Sequence, residues 1–283
     1  MTFSTVDLTP RIGTEICSDI PTLLSGKYAE DIRAILDQRG VIAFRKLNMT
    51  DEEHVAFTKT LGTYTIEDSV STTTGEGVYK ISMDANEQPL YEHLKAAFYW
   101  HLDGTTSDVP IFASIMSCKC PAPEGGETEF CSTYAAYEDL PDEEKKLYEG
   151  LQVYHSFVST QRITVPEPTL EQYQAWRAKG GNTIPLIWKH HNDRKSLIVG
   201  ATTEYVLGME PQKSLDLLFK LRAWTTQPKY VYQHQWQQGD LVIWDNTGTL
   251  HRARPYDFNS GRLMHRTRLE GEEDFLGSST TVS

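Results

Sequence analysis

The stretch YWHLDGTT, Tyr99 to Thr106, places His101 and Asp103 two residues apart. An imidazole and a carboxylate at that spacing share one face of an extended chain and can offer two ligand atoms to a divalent metal. Two such ligands hold an ion weakly. Catalytic non-haem iron commonly takes two histidines and one carboxylate on one face of an octahedron, leaving three positions open. A second histidine must therefore come from elsewhere. His54 falls on an amphipathic helical stretch, His93 lies just before the pair, and His155 and His234 sit inside strand-like runs. His190 and His191 are adjacent, so at most one is expected to face a given cavity. His265 lies among arginines, a poor setting for a cation. His251 stands apart by its setting: in GDLVIWDNTGTLHRARPYD an apolar strand ends at Trp244-Asp245-Asn246, and a short loop leads to the histidine. Spacing alone leaves the other histidines open.

Ligands from distant segments need a scaffold. YAEDIRAILDQRG has apolar residues at helical spacing and stops at Gly40. TDEEHVAFTKTLG offers Thr50 as N-cap, Glu53 as its capping-box partner and Gly62 just past the end. GVIAFR between them reads as a buried strand. After residue 76 come short β-branched or aromatic runs bounded by turn residues: VYKISM, PIFASIMSCK, ETEFCS, LQVYHSF, IPLIWKH, KSLIVGA, YVYQHQW and DLVIWDN. KHHNDRKS reads as a hairpin tip and QWQQGDLV as a tight connection at Gly239. Three further helices are expected: LPDEEKKLYEGL, with Pro141 in its first turn, TLEQYQAWRAKGG and PQKSLDLLFKLRAW. Many short strands with inserted helices and no βαβ alternation point to a mainly β sandwich or jelly roll flanked by helices. No linker-like stretch divides residues 1–283, so a single domain is expected.

Composition narrows the class of function. A net charge of −12 argues against nucleic acid as a partner. No apolar run is long enough to span a membrane, and the N-terminus lacks the basic start and apolar block of a secretory signal. Four cysteines in 283 residues are too few for a disulfide framework, and Cys118 and Cys120, expected on one strand face, read as buried thiols. A reducing cytoplasm fits this usage.

WHLDG, PEGGETEFCSTYAAYEDLP, GDLVIWDNTGTLHRARPYD and GRLMHRTRLEG together resemble the taurine dioxygenase/phenoxyacetate dioxygenase family of iron(II)- and 2-oxoglutarate-dependent oxygenases, most locally its phenoxyacetate branch. The resemblance implies a double-stranded β-helix (jelly roll, cupin-like) core, with His101, Asp103 and His251 as iron ligands. It also implies Fe(2+), 2-oxoglutarate and O2 as participants, ascorbate as an activator in vitro, and a homo-oligomer. Two neutral imidazoles and one carboxylate leave ferrous iron a net single positive charge, and a 2-oxo acid can chelate two of its open positions. Oxidative decarboxylation to succinate and CO2 then makes an oxidant that takes hydrogen from a nearby C–H bond.

Arg262, eleven residues after His251, matches the family position that holds the far carboxylate of 2-oxoglutarate, a task suited to the planar guanidinium fork. Thr128 matches the supporting hydroxyl. Gly125 and Gly126 are expected to shape the turn before that strand. Arg266 matches a second anion-binding arginine for cosubstrate or substrate, although strand parity alone does not separate it from Arg268. Around the substrate, His93, Lys95, Phe98 and Tyr99 precede the ligand pair, His191 resembles a family histidine near the substrate, and Tyr205 is a further lining candidate. The segment Tyr64–Lys95, expected to cover the site, departs from the phenoxyacetate branch in lacking its basic residues. The function implied is hydroxylation of a small anionic organic molecule, aryloxyalkanoate-, sulfonate- or specialised-metabolite-like. The alternatives are a cupin-like metal-dependent isomerase or sugar-modifying enzyme, and a non-catalytic small-molecule-binding jelly roll.

Overall fold

Val41–Phe44 is buried at every residue, which a strand achieves only when both its faces are covered. The computed structural model, which describes residues 3–66, 77–84 and 95–276, shows what covers them. Ile42 and Phe44 enter one cluster with Leu36, Phe57, Leu61, Ile115 and Ile243. Val41 and Ala43 enter another with Phe130, Tyr232, Val242 and Trp244. The period of two along Val41–Phe44 and Leu241–Asp245 thus divides two apolar layers on opposite sides of one sheet.

That sheet runs in the order Ser4–Asp7, Thr14–Cys17, Val41–Phe44, Leu241–Asp245, Ala113–Cys120, Leu263–Leu269, Tyr64–Thr65, and Tyr79–Ile81 also pairs with Leu263–Leu269. Its pairings are antiparallel except between Thr14–Cys17 and Val41–Phe44. A smaller antiparallel sheet, Val231–His234, Thr128–Ser132 and Thr249–Ala253, faces it across the Phe130–Trp244 layer. Two such sheets are the sandwich of a jelly roll. Phe130 is fully buried at the seam, and truncating it to alanine should cost about 3–5 kcal/mol.

The outer face of the large sheet is closed by the two helices expected there. Ala29–Arg39 ends at Gly40, whose φ of 70° is the left-handed conformation a C-cap glycine supplies. Asp51–Leu61 begins with the capping box: the Glu53 amide donates to the Thr50 hydroxyl at 3.2 Å, and the Thr50 amide donates to the Glu53 carboxylate at 2.9 Å. A third cluster, built around Trp188, Leu197, Val206, Leu221 and Tyr230, belongs to the segments inserted between the sandwich strands. Pro141 caps the Asp142–Tyr148 helix rather than lying inside its first turn. Thr133–Glu138 and Phe157–Thr164 are helices the sequence reading did not anticipate. Each starts at a serine, Ser132 or Ser156, whose hydroxyl accepts an amide hydrogen bond from the first turn. No helix among the described residues is long and apolar enough to cross a membrane.

Candidate active site

His251 lies on the Thr249–Ala253 strand of the smaller sheet. The segment before Ala113–Cys120 crosses it, and His101 forms an isolated antiparallel bridge with His251. His101 and Asp103 were expected on one face of a strand; the structure shows instead a lone bridge residue followed by a turn. The turn still brings the carboxylate back toward both rings. Asp103 Oδ1 lies 3.8 Å from His101 Nε2, and Asp103 Oδ2 lies 3.8 Å from His251 Nε2. One ligand atom from each of the three residues falls within 4.8 Å of the others, so the group could hold a metal ion.

The environment of each group favours its ligating form. The Tyr99 carbonyl lies 2.8 Å from His101 Nδ1, which fixes the ring proton there and leaves the Nε2 lone pair toward Asp103. Burial, helped by the neighbouring His101, pushes His251 down to about 3, so its imidazole is neutral. Its Nδ1 is buried without a hydrogen-bond partner among the described residues, and the ring lies 4.9 Å from Trp244. For Asp103, burial works against ionisation, but His251, Arg266 and His101 outweigh it and hold the carboxyl well below the usual carboxylate range. Arg266 Nη1 is 3.4 Å from Asp103 Oδ2. Two neutral imidazoles and one carboxylate are the donor set of a divalent non-haem metal site.

His101 and His251 line a cleft of about 90 Å³, with Asp103 set against both rings. Its walls are largely apolar or aromatic, among them Ile81, Met83, Phe98, Met116, Trp244 and Tyr256. Arg262 and Thr128 lie in the same cleft. Arg262 is buried with Nη2 donating to the Gly126 carbonyl at 3.1 Å and its guanidinium 4.8 Å from the Tyr256 ring centroid. Its Nε is buried and has no hydrogen-bond partner among the described residues. Such an orphaned donor on a buried cation is costly unless an anion meets it. The Thr128 hydroxyl accepts from Trp236 Nε1 at 2.9 Å, leaving its own O–H to donate. The residues present therefore fit a carboxylate such as the far end of 2-oxoglutarate. Gly126, at φ 74°, explains part of this closeness, since a Cβ there would stand 3.0 Å from Arg262 Nε.

Several other expected site residues can be placed. Phe98 lines the cleft and stacks on Phe258 with ring centroids 5.9 Å apart. Lys95 stands near the same Phe258 ring, Nζ 5.8 Å from its centroid, and Tyr99 contributes the carbonyl that orients His101. His93 lies outside the described residues. His191 does not reach the cleft: at the tip of the 187–197 hairpin it is bound to Glu273, whose other carboxylate oxygen holds His190. The two adjacent histidines thus engage one carboxylate, where only one was expected to face any given site. Tyr205 is exposed and stacks on Tyr154, away from the cleft. Arg266 lines the cleft, and Arg268 is not among its walls. Cys118 is buried, but Cys120 is exposed, against the expectation of two buried thiols. The sequence reading missed Tyr256 and Phe258. They follow Pro255 in an irregular segment, and only their aromatic i,i+2 spacing hinted at a shared role.

Comparison with known proteins agrees with this geometry. The chain is 30% identical over 265 residues, 88% of its length and 87% of the relative's, to an alpha-ketoglutarate-dependent 2,4-dichlorophenoxyacetate dioxygenase of Burkholderia sp. (strain RASC). It is 29% identical over 248 residues, 86% of each chain, to an (S)-phenoxypropionate/alpha-ketoglutarate-dioxygenase of Sphingobium herbicidovorans. The crystal structure of AAD-2 in complex with Mn(II) and N-oxalylglycine superposes with a TM-score of 0.82 at 29% identity, covering 97% of this chain and 100% of that one. Residues 4–268 match the model of the taurine catabolism dioxygenase TauD, TfdA family, and the chain belongs to that family.

Proposed function

We propose that this chain is an iron(II)- and 2-oxoglutarate-dependent dioxygenase that hydroxylates a small organic anion with a substantial apolar body, of which aryloxyalkanoates are the leading class. The observation that carries the reading is a cleft lined by His101 and His251 of the three-residue donor set and by a buried arginine, Arg262, whose Nε has no partner among the described residues. When bound, iron, 2-oxoglutarate and O2 supply the oxidising chemistry and leave succinate and CO2.

The protein's own residues account for binding and orientation. His101, Asp103 and His251 would hold the metal, with the Tyr99 carbonyl fixing one ring and Arg266 steadying the carboxylate. Arg262 and Thr128 would bind the far carboxylate of 2-oxoglutarate, which orients that acid toward the metal site. Phe98, Tyr256, Ile81, Met83 and Met116 present an apolar wall that excludes water and suits an aryl or alkyl body. Hydroxylation at a carbon next to an ether oxygen would give a hemiacetal that collapses, so ether cleavage is a natural outcome for an aryloxy acid. The reading takes residues 1–283 as one catalytic unit. It extends to a cytoplasmic homo-oligomer, supported by the family resemblance and by the four free thiols. A cupin-like isomerase without a cosubstrate would leave Arg262 and Thr128 without a partner anion, and a non-catalytic binding module would leave the three-residue donor set without a role.

The test is a panel of aryloxyalkanoates, sulfonates and amino-acid derivatives supplied with Fe(II), 2-oxoglutarate and ascorbate, and read by succinate release. Succinate formed in step with an oxygenated product from one class supports the proposal. Metal-loaded protein that never consumes 2-oxoglutarate would contradict it.

A further inference from the structure

Asp103 sits on a turn with no regular secondary structure of its own, so its position must be imposed from outside. Upstream, the Trp100 carbonyl accepts from the Ala201 amide at 2.8 Å. Downstream, the Thr105 hydroxyl donates to the Thr202 hydroxyl at 2.9 Å, and Thr202 Oγ1 lies 2.9 Å from His155 Nδ1. The Thr202 hydroxyl accepts from Thr105 and shares a second hydrogen bond with His155 Nδ1, so one side chain links the turn to the buried ring. Full burial pushes His155 down to about 3, which keeps that ring neutral. Gly200 completes the contact: at φ 142°, a Cβ there would stand 2.9 Å from the Trp100 carbonyl and 3.3 Å from His101 Cα. A single segment, residues 200–202, therefore touches both ends of the turn that carries the carboxylate.

We propose that Thr202, oriented by His155, is a positioning residue that holds the 101–105 turn so that the Asp103 carboxylate meets the two histidine rings. The inference rests on the reading of His101, Asp103 and His251 as metal ligands. Neither Thr202 nor His155 contributes a wall to the metal cleft, so their effect passes through Thr105 and the backbone rather than through contact with substrate. Thr202→Val keeps the side-chain shape and removes the hydroxyl, leaving Thr105 without its acceptor and breaking the bond to His155 Nδ1.

The experiment measures Mn(II) binding to metal-free protein by electron paramagnetic resonance, with thermal melting of the metal-free form in parallel. Outer partners of a metal site commonly change affinity by about 10–100-fold when removed. Thr202→Val should weaken Mn(II) binding by about tenfold or more, and Thr202→Ser, which keeps the hydroxyl, should restore most of it. His155→Phe should shift affinity in the same direction. A folded Thr202→Val protein that binds Mn(II) as tightly as wild type overturns the positioning role and leaves the metal site standing. Wild-type protein that binds no Mn(II) overturns the metal reading and this inference with it. Should valine at 202 prevent folding, Thr105→Val cuts the same link from the turn side and is judged by the same criterion.

Discussion

His101 and His251, far apart in the chain, hydrogen-bond to each other through their backbones in both directions: the His101 amide donates to the His251 carbonyl at 3.0 Å, and the reverse bond is 2.9 Å. This pairing brings the two ring centroids to 4.2 Å. The distance between two candidate ligands is thus set by main-chain geometry, which side-chain substitutions leave in place.

Alanine at His101 or Asp103 should therefore remove metal binding while sparing the fold. The His101 side chain is partly exposed, so its loss should cost no more than about 1 kcal/mol, whereas Asp103→Ala also removes the carboxylate beside Arg266 and should cost more. His251→Ala, which empties a buried position beside Trp244 and Phe130, should lose metal as well and cost more stability. Metal content after reconstitution, together with thermal melts, checks all three. A variant that keeps a full complement of metal would remove its residue from the ligand set.

Arg262→Met should raise the 2-oxoglutarate requirement without changing metal affinity. Losing one partner of a buried charge-assisted pair costs roughly 2–5 kcal/mol, which is at least tenfold in affinity. Arg262→Lys should recover only part of this, because an ammonium lacks the fork. Titration of succinate release against 2-oxoglutarate reads the effect, and an unchanged requirement would move the anion site elsewhere, Arg266 being the next candidate.

Gly126→Ala should mimic a weaker form of the same defect. Its φ of 74° disfavours alanine by about 1–3 kcal/mol, and the new Cβ would press on Arg262 Nε and Cδ, at 3.0 and 3.1 Å. The expected result is a raised 2-oxoglutarate requirement with Mn(II) binding intact. Loss of Mn(II) binding with an unaltered 2-oxoglutarate response would contradict the placement of Gly126 behind Arg262.

Acid stability should depend on Glu273. Its burial opposes ionisation, but hydrogen bonds from His190 and from the His191 amide and ring outweigh it and bring the carboxyl from its ordinary value of 4.5 to about 2. A depressed carboxylate stabilises the fold above the unfolded-state value and loses that contribution as pH falls through the folded-state one. Glu273→Gln should therefore melt well below wild type at neutral pH, by on the order of 3 kcal/mol. The gap should narrow from about pH 4.5 down to about pH 2. A gap that stays constant across this range would mean that the carboxylate charge is not what the two histidines hold.

What could be read from the sequence was local or tied to a motif. The Thr50–Glu53 box and the Gly40 stop are decided by neighbours along the chain, and both helix ends lie where those residues put them. Short unbroken apolar runs in GVIAFR and DLVIWDN identify buried strands because the layers on both sides of the sheet are apolar. Long-range contacts were not legible. Glu273 arrives from the C-terminal segment to hold His190 and His191, and nothing in KHHNDRKS announces it. Arg266 and Arg268 share strand parity, and only the cleft's position across the sheet separates them. The His101–Asp103 turn also escaped a reading based on strand alternation, since its shape depends on Thr105, Thr202 and residues around Gly200 that are remote in sequence.

A site that binds iron through His101, Asp103 and His251 and 2-oxoglutarate through Arg262 has a spectroscopic signature. Adding Fe(II) and then 2-oxoglutarate to metal-free protein without oxygen, while recording visible absorbance, tests it most directly. A charge-transfer band should require both additions, disappear in Asp103→Ala, and need at least about tenfold more 2-oxoglutarate in Arg262→Met. No band in the wild-type protein, or a band of full strength in Asp103→Ala, would contradict it.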